Sequence, residues 1–153
     1  MSGEDILAET LRWTEEELGE RRRTELATLD DAPSRLVRFV EIYTPEGPGD
    51  PNWALWLEVW ERSLGNGDIV AVEEELERAW LFDLADIVAY GIRRREFSPV
   101  DPDDFAERYC LLLDGYSMRL AAGHRAFTRV SVIRRLVSLA ARELGFRASA
   151  VMG

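Results

Sequence analysis

Residues 68–95 read DIVAVEEELERAWLFDLADIVAYGIRRR, and this stretch decides the fold. Apolar residues recur every three or four positions, the period of a helix, and strict alternation is absent. They do not keep to one face. Val72, Leu76, Trp80 and Ile87 lie on one side, and Leu81, Leu84, Val88 and Ile92 on another. A helix wet along only one narrow side must be packed on several others, so it is central.

Working outward, five more helices are predicted around it, at about 4–28, 33–44, 51–64, 102–122 and 129–144. Their starts carry recognisable chemistry. Asp30-Asp31-Ala32-Pro33, Asp50-Pro51 and Asp101-Pro102 each offer a carboxylate to orphan N–H groups and a proline suited to a first turn. Thr128 is read as the cap of the last helix, and Gly145 as its end. Pro45-Glu46-Gly47-Pro48-Gly49 is a loop. No convincing strand, internal repeat or low-complexity tract is visible.

Composition bounds the function. A chain of 153 residues with 46% hydrophobic and 31% charged side chains suits one globular domain. Its 29 acids against 19 bases, all of them arginine, give a net charge of −10, which repels nucleic acid at long range. No apolar run approaches the roughly 20 residues that span a bilayer. The single Cys110 cannot form an intrachain disulfide, and no secretory leader is visible, so a cytoplasmic protein is expected. One histidine, His124, and one cysteine rule out zinc-ligand spacing, and no Glu-x-x-His pair exists. No catalytic or metal residues are assigned, and no cofactor is expected.

Four motifs carry a family resemblance. Glu4-Asp5-Ile6-Leu7 opens the first helix. Trp53 to Trp60 make a tryptophan-rich third helix. Glu96-Phe97-Ser98-Pro99-Val100-Asp101-Pro102 forms a turn, and Leu112-Leu113-Asp114-Gly115-Tyr116 lies in the fifth helix. In this order they resemble the C-terminal domain of the TetR family of repressors, in its BetI-like branch, over about residues 4–145. The resemblance implies an all-α, six-helix effector-binding and dimerisation domain, with the last two helices forming a four-helix bundle between subunits. In that family three preceding helices bind DNA through a helix-turn-helix. Only Met1-Ser2-Gly3 precede the first helix here, so the DNA-reading head is expected to be absent from this chain, with no direct nucleic-acid contact by it alone. Two alternatives stand beside the repressor module: a natural headless regulator that pairs with a full-length relative, and a small helical enzyme.

The residues have competing readings. Trp53, Trp56 and Trp60 share a face that suits either ordinary core or an aromatic pocket for an apolar or cationic effector. With the resemblance, Phe39, Tyr43, Trp56, Trp60, Trp80, Asp83, Ile87 and Tyr116 are the candidate ligand-binding set. Asp83 sits on an otherwise apolar side and is either satisfied by an arginine or left to face a cation. A second stripe on the fifth helix, Leu111, Gly115, Met118 and Ala122, joins Val132, Leu136, Leu139 and Ala140 as the candidate homodimer seam. A mid-helix glycine costs about 1 kcal/mol against alanine, which close approach of another helix would offset. The runs Glu15-Glu16-Glu17, Glu73-Glu74-Glu75 and Arg21-Arg22-Arg23 read as solvated surface.

Overall fold

A computed structural model of the chain describes residues 3–152, apart from the side chain of Glu4; Met1 and Ser2 of the short lead-in, and Gly153, lie outside the described residues. Its helices are α1 (Gly3–Ala27), α2 (Ala32–Tyr43), α3 (Pro51–Ser63), α4 (Gly67–Arg93), α5 (Pro102–Ala121), α6 (Arg129–Leu144) and α7 (Ser149–Met152). The first six fall where the periodicity puts them, and there is no strand among the described residues. The short α7 was not anticipated. Four residues are too few to show a helical period, and Ala148 and Met152 are held by packing on the core.

The predicted caps are made. Asp31 accepts from the Ser34 N–H, Asp50 from Asn52 and Trp53, and Asp101 from Asp103 and Asp104. Thr128 and Ser131 form a reciprocal capping box, and Gly145 closes α6 in the left-handed region at φ 74°. Asn66 also caps α4, through the Asp68 and Ile69 N–H groups.

Helix α4 touches α1, α2, α3 and α5, as its apolar circumference requires. The main core is built from α2, α4, α5 and α6 around Leu36, Phe39, Leu84, Val88, Leu113 and Leu136, all fully buried. A smaller cluster of Leu11, Trp56, Val59, Ile69 and Leu76 joins α1, α3 and α4. Helices α1 and α4 run side by side in the same direction. Contacts step along both, from Arg12–Glu75 through Glu15–Trp80 to Arg22–Asp83.

The turn after α4 locks the main core. Glu96 and Phe97 both donate their N–H to the Gly91 carbonyl, at 2.8 and 3.1 Å. This folds the Phe97 ring against the bare Cα of Gly91, where an added Cβ would lie 2.2 Å from a ring carbon. Gly91→Ala is therefore expected to destabilise the fold by about 1–3 kcal/mol despite alanine's better helix propensity. The check is the urea midpoint; a midpoint at or above that of the native chain would show that Phe97 can move aside.

Several surface assignments are corrected by burial. Glu15, Glu73 and Arg22 are buried, while Ile6 and Trp13 of α1 are exposed. A charge triplet spans more than half of the helix circumference, so one member can fall on the packed side whatever its charge.

Candidate functional site

Between the two clusters lies a cavity of about 370 Å³, walled by α1, α2, α3 and α4, the loop after α2, and Asp114 of α5. Its apolar walls are aromatic. Tyr43 sits against Trp80 edge to face, with ring centroids 4.8 Å apart, and against Trp53 at 5.9 Å. Trp60 completes the sequence, 6.2 Å from Trp53 and 5.9 Å from Trp56. The face of an aromatic ring carries negative π density.

Three carboxylates of the wall are tied to aromatic donors. Glu15 uses both oxygens: Trp56 Nε1–H donates to one and Trp80 Nε1–H to the other, each at 2.8 Å. Glu77 accepts from Trp60, and Asp114 accepts from the Tyr43 hydroxyl. Trp53 Nε1–H donates instead to the Tyr43 carbonyl at 3.0 Å. The indole groups are thus satisfied inside the chain, and they fix the orientation of the rings.

Burial acts on these acids. It pushes Asp114 up to about 6, with the charge of Glu77 adding to the effect and the Tyr43 hydrogen bond opposing it. Burial raises Glu77 as well, against the Trp60 hydrogen bond. Outside the cavity, the same cause raises Glu73 to about 7. Burial also keeps the Tyr43 hydroxyl protonated, raising it well above its ordinary value.

Basic groups in the wall are largely spent. Arg38 pairs with Glu25 at 2.5 Å. Arg22 donates through Nε and Nη2 to one oxygen of Asp83, at 2.8 and 2.7 Å, and its guanidinium stacks on Trp80 with Cζ 3.7 Å from the ring centroid. The remaining balance at the cavity favours a cation.

Tyr43, Trp56, Trp60 and Trp80 of the candidate ligand set line this cavity. The other four do not. Asp83 is turned into the ion pair with Arg22, the arginine-satisfied alternative of the sequence reading. Phe39 and Ile87 are buried in the main core, Phe39 backing Tyr43 and Trp80 from behind at 5.9 and 5.7 Å. Tyr116 packs edge-on against Phe127 and borders a shallow groove on α6. Trp53, Glu15, Glu77 and Asp114 were missed. Trp53 shares the tryptophan stripe and could have been found from it. The three acids were hidden because charge in a helix is normally read as solvated.

The candidate seam divides in the same way. Leu111, Met118 and Leu139 are 66%, 40% and 38% exposed, and Ala122 is exposed beside them. Gly115 is partly exposed, and a Cβ placed there would meet only the Arg119 guanidinium, at 3.9 Å. Val132, Leu136 and Ala140 have no exposed surface and fill this chain's own core, so they are removed from the seam. The apolar half of α6 is covered by α2 and α5 of the same chain. Among the described residues, no cluster of His, Cys, Asp or Glu is placed to hold a metal ion, and no helix is long and apolar enough to cross a membrane.

Comparison with known proteins agrees with this architecture. No curated protein matches the chain. A solved structure from Saccharomonospora viridis, described as a transcriptional regulator in complex with choline, superposes with a TM-score of 0.85 at 29% identity, covering 94% of this chain and 75% of that one. Residues 32–145, from the first residue of α2 to the glycine that ends α6, match the model of the BetI-type transcriptional repressor C-terminal domain. The chain belongs to this TetR-type family of repressor C-terminal domains.

Proposed function

We propose that this chain is the effector-binding and dimerisation module of a ligand-responsive repressor, and that its effector is a small organic cation of the quaternary ammonium class. The observation that carries the reading is the aromatic box of Tyr43, Trp53, Trp60 and Trp80, edged by Glu15, Glu77 and Asp114. A quaternary ammonium has no N–H to satisfy. It needs π faces and a diffuse negative field, which this wall offers. The carboxylates already accept hydrogen bonds from the rings, so they supply field more readily than free lone pairs. That the similar regulator was crystallised with choline supports the same class.

The test is titration with choline, followed by calorimetry and tryptophan fluorescence. Saturable binding of one choline per chain, with altered indole emission, is expected. Absence of heat and of any emission change with choline and with tetramethylammonium would overturn the assignment. Ligand action on a repressor requires different affinity in its two states.

For dimerisation, the supporting observation is the exposed stripe of Leu111 and Met118 on α5 and of Ala122 at its C-cap, beside Leu139 on α6, with Gly115 at its middle, where a Cβ would meet only Arg119. Gly115→Leu is expected to give monomers in sedimentation velocity while the helical circular dichroism is unchanged. A dimer that persists in this variant would move the seam elsewhere.

A further inference from the structure

We propose that the cavity takes up its cation in exchange for a proton held on the neighbouring carboxyl groups Glu77 and Asp114. The inference rests on the cationic-effector reading and adds its regulation. Glu77 stands on α4 and Asp114 on α5, both in the cavity wall and both half-buried there. Two like charges in a shielded site disfavour each other's ionisation. Burial, with the charge of Glu77, pushes Asp114 up to about 6, and burial, with the charge of Glu74, raises Glu77 in the same direction.

The groups that face the pair do not remove this proton-holding tendency. Tyr43 from α2 and Trp60 from α3 each donate one hydrogen bond, and both oppose the shift without cancelling it. From α1, Glu15 adds a further negative charge already bonded to two indoles. Arg22 is held by Asp83, and Arg38 of α2 is held by Glu25. Arg21 is exposed at the rim, as are Glu25 and Glu46, and Glu41 is partly exposed there. Glu46 also lies 3.7 Å from Arg129. Asp50 is committed to capping α3. On the same helices, Glu74 adds negative charge near Glu77, and the Cys110 thiol, raised by burial, stays protonated.

A cation entering the box supplies the missing positive charge. The ionised form of the pair is then favoured, and the proton leaves to bulk water, so the charge of the site is the same before and after. Linkage sets the sign: the free site holds the proton and the occupied site does not, so affinity rises with pH through the pKa of the free site and levels off above it.

Choline affinity of the whole chain should be measured by calorimetry from pH 5 to pH 8, and at pH 6 in two buffers of different ionisation enthalpy. About tenfold weaker binding at pH 5 than at pH 7 is expected for a single exchanged proton, with a fraction of a proton released at pH 6. Asp114→Asn should weaken binding at pH 8 and flatten the profile, and Glu77→Gln should do so independently. Binding that is equally tight at pH 5 and pH 8, without proton release, overturns the exchange while leaving the cation reading intact. Absence of binding by choline and tetramethylammonium at every pH overturns both.

Discussion

Asp83→Ala is expected to cost the fold about 3–5 kcal/mol, because it strands the buried Arg22 guanidinium without its counter-charge. Arg22 is 2% exposed and Asp83 7%, so water cannot replace the lost partner. Arg23 also approaches Asp83, at 3.7 Å, but its side chain is half exposed and adds little. A domain of this size has about 5–15 kcal/mol of total stability, so the variant should populate the unfolded state at modest urea. The double variant Arg22→Met, Asp83→Leu should regain most of the loss, since two apolar groups leave no uncompensated charge. Single and double variants with additive effects would show that the pair is not coupled. The pair also ties α1 to α4 beside the cavity. Because the Arg22 guanidinium lies on the Trp80 face, its loss should loosen that wall too.

Trp80→Ala is expected to weaken choline binding by about 30-fold. A desolvated cation–π contact with tryptophan is worth about 2 kcal/mol, and each 1.4 kcal/mol is tenfold in affinity. Trp80 is the meeting point of the site. It packs on Phe39 and Tyr43, donates its N–H to Glu15 and carries Arg22 on its face. Trp80→Phe keeps a π face but loses the N–H donor to Glu15, so it should fall between the native chain and the alanine variant. Equal affinity in all three, with thermal unfolding showing that each is folded, would take Trp80 out of the site.

Much of the architecture follows from sequence periodicity alone. The apolar residues of 68–95 point to several sides at once, and four helices are indeed packed around α4. The Asp-Pro starts are equally legible, because capping is a contact between residues two or three apart and needs no tertiary partner. The tryptophan stripe of α3 also shows in the sequence as a face.

What that face meets does not. Periodicity gives the direction of a side chain on its own helix, not the chemistry standing opposite. Asp83 and Asp114 are both single acids beside apolar neighbours in sequence. Arg22, 61 residues away, ends at the first, and the Tyr43 hydroxyl, 71 residues away, ends at the second. Glu15 looked solvated beside Glu16 and Glu17, yet it holds indoles 41 and 65 residues distant. Val132, Leu136 and Ala140 likewise presented an apolar face that could serve a partner or the chain's own core, and α2 and α5 take it. The sequence by itself determined the helices, their ends and the helix at the centre, since these depend on local hydrogen bonding and on the 3.6-residue period. Tertiary structure alone decided which buried charge is paired and which is left to face the cavity, because that depends on contacts between residues far apart in the chain.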